Sequence, residues 1–165
     1  MLKLWMLAAV LTCSQVFAHG KDNDHHKDGY ASATISDPAL QTFVAGLRLP
    51  IYFDQDLVEP FNIKHPYQSD DSQFCVQREG SYLIGWKMNL THPGQDVVTF
   101  SVLDMKTETP IAGTTLVVPV SGTIAASTQF VIYLEKGGVI KLTGLSQNGN
   151  TALSNPTFFI TRIGH

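Results

Sequence analysis

Three histidines and three aspartates crowd between residues 19 and 28: His19, His25 and His26 with Asp22, Asp24 and Asp28. Imidazole nitrogens and carboxylate oxygens are ligands for Zn²⁺, Cu²⁺ or Ni²⁺. Their spacing matches no closed structural zinc motif. A chain cut after Ala18 would carry a free amine beside the His19 imidazole, a pair that chelates copper. A working copper centre of that kind needs a second histidine from the fold, and His65, His92 and His165 are the candidates. A solvated tail with weak affinity for copper or zinc is the plainer reading of the same residues. Weak metal binding at His19, His25 and His26, with no resident cofactor, is therefore the expectation.

The other reactive groups read as structural. Cys75 has no basic neighbour in sequence before Arg78 and lies in a run of core character, where a buried small apolar residue is expected. His65 precedes Pro66 in a loop-like stretch and His92 sits in a turn, so both are expected at the surface. Asp70 and Asp71 stand in a Ser-Asp-Asp-Ser turn, whose carboxylates ordinarily cap backbone amides. No Gly-x-Ser-x-Gly, Ser-x-x-Lys or His-Glu-x-x-His occurs, so no catalytic residue is assigned and an enzyme is not expected. Asn89-Leu90-Thr91 is a glycosylation sequon. Charged residues make up only 15% of the chain and the net charge is −3. That balance gives no basic cluster for nucleic acid and no electrostatic patch for a membrane.

The residues that must position these groups divide into three stretches. Residues 1–18 read as a signal peptide: Lys3 supplies the positive end, Leu4 to Leu11 the apolar run, and Val16-Phe17-Ala18 the cleavage site. That run is too short to span a bilayer as a helix. Residues 19–37 are polar and aperiodic, and read as a flexible leader. Residues 38–165 read as one β domain in a secreted, cell-surface or periplasmic protein. Cys75 is then the only cysteine of the exported chain, so the domain is stabilised by its core or by assembly, not by an internal disulfide.

Within 38–165 apolar residues alternate in short runs. In Gly80 to Leu90, Tyr82, Ile84, Trp86, Met88 and Leu90 share one face, while Ser81, Leu83, Gly85, Lys87 and Asn89 share the other. His92-Pro93-Gly94 reads as a turn into a return strand, Asp96 to Met105. Further strands are expected at Ile111 to Val120, ending at Pro119, and at Thr128 to Leu134, Val139 to Leu145 and Thr157 to Ile163. Lys136-Gly137-Gly138 and Gln147 to Asn150 carry turn chemistry. Helical periodicity is absent. The fold class is all-β, a two-sheet antiparallel jelly-roll sandwich of about eight to ten strands.

The segment Tyr67-x6-Phe74-x-Val76-x3-Gly80-x-Tyr82-x-Ile84-x-Trp86 resembles the central signature of the complement C1q head domain family. Leu134-x2-Gly137-Gly138-x-Ile140-x-Leu142 resembles the later strand pair of that family, with Gly138 where an aspartate is usual. Phe158 to Ile163 resembles its last strand, especially in bacterial members such as the spore-surface BclA head, and Phe43 and Leu47 fit its first. The resemblance implies a C1q and tumour necrosis factor-like jelly roll whose core signature is Phe74, Val76, Gly80, Tyr82, Ile84 and Trp86. No collagen-like stalk precedes it, and the Gly138 substitution means that the family's calcium sites do not carry over. By contrast, a copper centre built on His19 would resemble the histidine brace of copper proteins.

Apolar residues also occupy the second face of several strands. Val131 and Tyr133 oppose Phe130, Ile132 and Leu134, and Phe159 and Ile163 oppose Phe158 and Ile160. A monomer would leave that set in water. In trimeric relatives the outer face of the sheet holding the first and last strands packs around the threefold axis, so Tyr133, Phe159 and Ile163 are the expected trimer interface. The expected work is assembly as a homotrimer and recognition of a protein or glycan ligand. The rival readings are an exported copper- or zinc-binding protein using His19, and an unrelated β-sandwich adhesin or carbohydrate-binding module.

Overall fold

The computed structural model describes residues 29–35 and 41–164. Among them there is no helix. The chain forms eleven strands: β1 (Tyr30–Thr34), β2 (Gln41–Thr42), β3 (Arg48–Pro50), β4 (Gln55–Phe61), β5 (Ile63–Lys64), β6 (Gln73–Val76), β7 (Gly80–Asp104), β8 (Thr109–Pro110), β9 (Leu116–Leu134), β10 (Val139–Ser146) and β11 (Ala152–Gly164). All named strands pair antiparallel.

Two long strands turn this ladder into a sandwich. β7 pairs with β9 from Gly80↔Leu134 to Phe100↔Leu116, with a break in register between His92 and Gln95. At that bulge, and at Gly122 (φ 66°) opposite it, the pair passes from one sheet to the other. A bulge is how strands change sheets at a sandwich corner. The first half of β7 pairs with β11, which pairs with β1, and β1 with β4. The second half pairs with β10, which holds β3 and β6.

Three sequence expectations change here. His92-Pro93-Gly94 is a corner within one strand, not the turn of a hairpin. Pro119 does not end a strand but sits within β9, opposite Val97. Proline is tolerated there because β9 pairs on one side only. Tyr30 to Thr34, read as leader, is β1, with Ala31 and Ala33 buried and both neighbours hydrogen-bonded. Residues 1–18, read as a signal peptide, residues 19–28 of the expected leader, residues 36–40 and His165 lie outside the described residues.

The core fills the space between the sheets. Tyr82, Ile84, Trp86, Met88 and Leu90 of β7 are all buried, as are Phe74 and Val76 of β6 and Phe158 and Ile160 of β11. The aromatic rings interlock: Phe74 and Phe158 have centroids 4.5 Å apart, Phe53 lies 5.6 Å from Phe158, and Trp86 lies 4.7 Å from Phe100. Each such ring buries a large apolar area in a tilted or edge arrangement.

Truncation tests the revised boundary. Residues 19–28 carry no apolar side chain, so removing the chain up to residue 28 is expected to leave the melting temperature unchanged. Removing it up to residue 35 also takes away β1, opening the edges of β11 and β4. That cut should cost at least about 3 kcal/mol, read by denaturant unfolding.

Candidate assembly surface

The outer face of the first sheet is split into two halves. Its rows follow from register. Tyr30 lies beside Thr161, Leu83 and Val131; Ser32 beside Phe159, Gly85 and Gln129; Gly164 beside Ser81 and Tyr133. Because side chains alternate across a strand, Tyr30, Phe159, Leu83, Val131 and Tyr133 share this face. Val131 is 57% exposed, Tyr133 58% and Ile163 54%, whereas Phe159 and Leu83 are half-buried. Tyr30 stacks at a tilt on Phe61 of β4, with centroids 6.0 Å apart, and Val58 and Phe61 are also exposed. Toward the other end the same face turns polar, with Lys87, Asn89, Thr91, Thr123 and Ser127. Thr91 and Thr123 share a hydrogen bond of 3.0 Å. Asn89 of the sequon is half-buried in this polar half.

Phe159 has a second role. A Cβ on Gly85 would overlap the Phe159 ring, so the ring occupies the space over the glycine of the neighbouring strand. An aromatic that covers a strand glycine in this way shields its backbone.

The sequence missed Tyr30, Val58 and Phe61 on this face. Tyr30 reads as leader, because alternation with inward residues as small as Ala31 and Ala33 carries almost no hydropathy signal. β4 carries Asp56, Glu59 and Pro60 on an edge strand that fully buries none of its residues, so no apolar alternation marks it. Charges and proline on an edge are a known protection against pairing.

The remaining candidate groups serve the fold. His65 and His92 are not surface residues: both are buried. The His65 ring stacks on Phe74 at a centroid distance of 4.1 Å. Its Nδ1 meets Asp56 Oδ1 at 2.7 Å and its Nε2 meets the Asp71 carbonyl at 3.1 Å. Partners on β4 and on the loop before β6 thus pull a residue of loop-like sequence inward. His92 Nδ1 accepts the Gly94 N–H at 3.0 Å, inside the corner. Cys75 is buried, and burial pushes its thiol pKa up, away from the reactive thiolate.

Asp70 Oδ1 accepts the Ser72 N–H at 2.9 Å and the Ser72 hydroxyl at 2.6 Å, and its Oδ2 accepts Gln73 Nε2 at 2.6 Å. Burial alone would raise its pKa, but these donors and Lys141 outweigh it and hold the carboxyl low.

A heavily bonded buried carboxylate stands where the local sequence carries no signal for it. Asp96 is buried just past the corner and accepts the Ser146 hydroxyl at 2.5 Å, the Asn148 N–H at 2.9 Å and the Val97 N–H at 2.7 Å, as well as the Thr151 hydroxyl. Burial would raise its pKa, and the four donors reverse that and lower it. The carboxylate therefore ties β7 to the loop between β10 and β11.

Among the described residues, no group of three or more His, Cys, Asp or Glu side chains is placed to hold a metal ion. His65 and His92, two of the three candidate second histidines for a copper centre, point to internal partners. His19, His25, His26 and His165 lie outside the described residues. No helix among the described residues is long and apolar enough to cross a membrane.

With this geometry established, comparison with solved structures shows a C1q and tumour necrosis factor-like jelly-roll fold. Murine APRIL, of the tumour necrosis factor family, matches with a TM-score of 0.59 at 11% identity, over 83% of this chain and 100% of that one. The globular domain of zebrafish complement 1qA matches with a TM-score of 0.58 at 15% identity, over 83% of this chain and 98% of that one. No protein-family model and no curated protein sequence matches the chain.

Proposed function

We propose that this protein is an exported, non-enzymatic jelly roll that assembles as a homotrimer and presents its loops to a protein or glycan ligand. The carrying observation is the apolar half-face formed by Tyr30, Leu83, Val131, Tyr133, Phe159 and Ile163, which a monomer leaves facing water. The fold of the structural neighbours and the sequence resemblance to C1q heads support a threefold arrangement on this face. Closed threefold symmetry covers the patch without leaving an open end for fibre growth. The likeness of Phe158 to Ile163 to bacterial last strands favours a head of the bacterial type. Secretion follows from the residues 1–18 reading.

Tyr133→Asp tests the assembly. Burial of such an aromatic stabilises by about 1.5–3 kcal/mol per chain, so three copies of the change should weaken a trimer about a thousandfold or more. Light scattering should show monomers, while circular dichroism still shows a folded β protein. An oligomer indifferent to both Tyr133→Asp and Phe159→Asp would overturn the choice of face.

A further inference from the structure

β4 is an edge strand, and among the named strands its backbone pairs with β1 alone. The chain at its start has two further ties, both to the segment before β6. The Phe53 N–H donates to the Asp71 carbonyl at 2.9 Å, and Asp56 Oδ1 meets His65 Nδ1 at 2.7 Å. The other ring nitrogen of His65, Nε2, meets that same Asp71 carbonyl at 3.1 Å. Phe74 covers one face of the ring in a stack with 13° between the planes. The His65 side chain is 1% exposed, whereas that of Asp56 is 28% exposed. The ring is thus shut in, and its carboxylate partner still touches water.

Both ring nitrogens face acceptors. A carboxylate and a backbone carbonyl accept hydrogen bonds only, and a neutral imidazole carries a single N–H. The two contacts are satisfied together only when His65 and Asp56 share two protons, one at Nε2 and one between Nδ1 and Oδ1. With one proton fewer, Nε2 still donates to Asp71, but Nδ1 turns a lone pair toward the oxygen of Asp56. The other titratable groups of the surrounding elements are Asp54 and Glu59 on the β4 side, Lys64 on β5, Tyr67, Asp70 and Asp71 before β6, and Cys75 on β6. Among the described residues, the hydrogen bonds of the ring go only to Asp56 and to the Asp71 carbonyl. The Asp70 carboxylate is committed to Ser72 and Gln73.

We propose that His65 and Asp56 form a proton-operated clasp on the edge strand. With the shared proton, the pair fastens the start of β4 to the segment before β6. When that proton passes to water at the exposed side of Asp56, the contact is lost and this end of β4 opens. Imidazole is the side chain whose charge ordinarily changes between about pH 5 and 8, so the clasp answers to the pH of ordinary aqueous surroundings. β4 also carries Val58 and Phe61 of the outer face, and the clasp sets how firmly that rim is held.

Nitrogen NMR of the protein with ¹⁵N-labelled histidine reads the state of the ring. Amide hydrogen exchange, corrected for the intrinsic effect of pH, reads the opening of β4. As pH rises from about 5.5 to 9, His65 Nδ1 should move to the signal of an unprotonated nitrogen. Over the same range the amides at the start of β4 should lose protection about tenfold, the worth of one hydrogen bond, while Ile160 in β11 keeps its own. In Asp56→Asn the new amide can donate to an unprotonated Nδ1, so β4 protection should no longer change with pH. His65→Gln, which has no titrating ring, should behave likewise. Protection of β4 that is constant with pH in the unsubstituted protein, or that changes equally in Asp56→Asn, overturns the clasp.

Discussion

Asp96→Ala is expected to destabilise the domain by about 3 kcal/mol or more. Removing this carboxylate strands four donors: the Val97 and Asn148 amides and the Ser146 and Thr151 hydroxyls. Hydrogen bonds to a charged acceptor are worth more than neutral ones, and a buried donor left without a partner carries its full desolvation cost. Asp96→Asn keeps the shape but offers an amide donor to groups that are themselves donors. The hydroxyls can rotate to accept, so the loss should be smaller than for alanine. Urea unfolding of the three proteins at neutral pH measures both differences.

The same residue sets an acid limit. The pKa of Asp96 is lower in the folded chain than in the unfolded one, as is that of Asp70. A depressed carboxylate contributes stability that is present above its unfolded value of about 3.9 and is lost as pH falls through the folded value. Stability should therefore fall as the medium is acidified below about pH 4, and Asp96→Asn should flatten that fall. An Asp96→Asn protein with the same acid dependence as the wild type would show that this carboxylate is not the source.

Gly80→Ala should be as damaging, for a different reason. Gly80 opens β7 at φ 146°, a conformation that residues with a Cβ rarely adopt. A Cβ there would overlap the Gly164 carbonyl oxygen and lie 2.7 Å from Arg162 Nε. Backbone cannot swing away as a side-chain tip can, and the Arg162 guanidinium is itself held, its Nε donating to the Glu79 carbonyl at 2.9 Å. Backbone strain and overlap together should cost about 3 kcal/mol or more, or prevent folding. Ser81→Ala, one residue along on the outer face, is the control and should be near neutral. Equal melting temperatures for Gly80→Ala and wild type would contradict this account of the strand entrance.

Where the sequence carries local periodicity, the fold could be read from it. Tyr82, Ile84 and Trp86 share one face of an alternating run, and all three are buried, whereas Leu83 between them faces outward and is half-buried. Val131 and Tyr133 could be placed on the outer face from β9 alone. Other features depend on residues far apart in the chain and left no local trace. A Pro-Gly pair marks a change of direction but does not say whether the chain folds back or crosses to the other sheet, so the corner at His92 read as a hairpin. Asp96 gathers Ser146 and Thr151, 50 and 55 residues away. His65 is drawn inward by Phe74 and Asp56, neither adjacent in sequence. β1 leaves little trace in the sequence because Ala31 and Ala33 are small enough to resemble polar leader. With β1 unseen, Tyr30 and its partner Phe61 were missing from a face that was otherwise half legible.

Sedimentation equilibrium of the unsubstituted protein, across a series of concentrations from below to above micromolar, tests assembly on that face most directly. A homotrimer gives a mass three times that of one chain, holding down to the micromolar range. A single-chain mass throughout the series would contradict it.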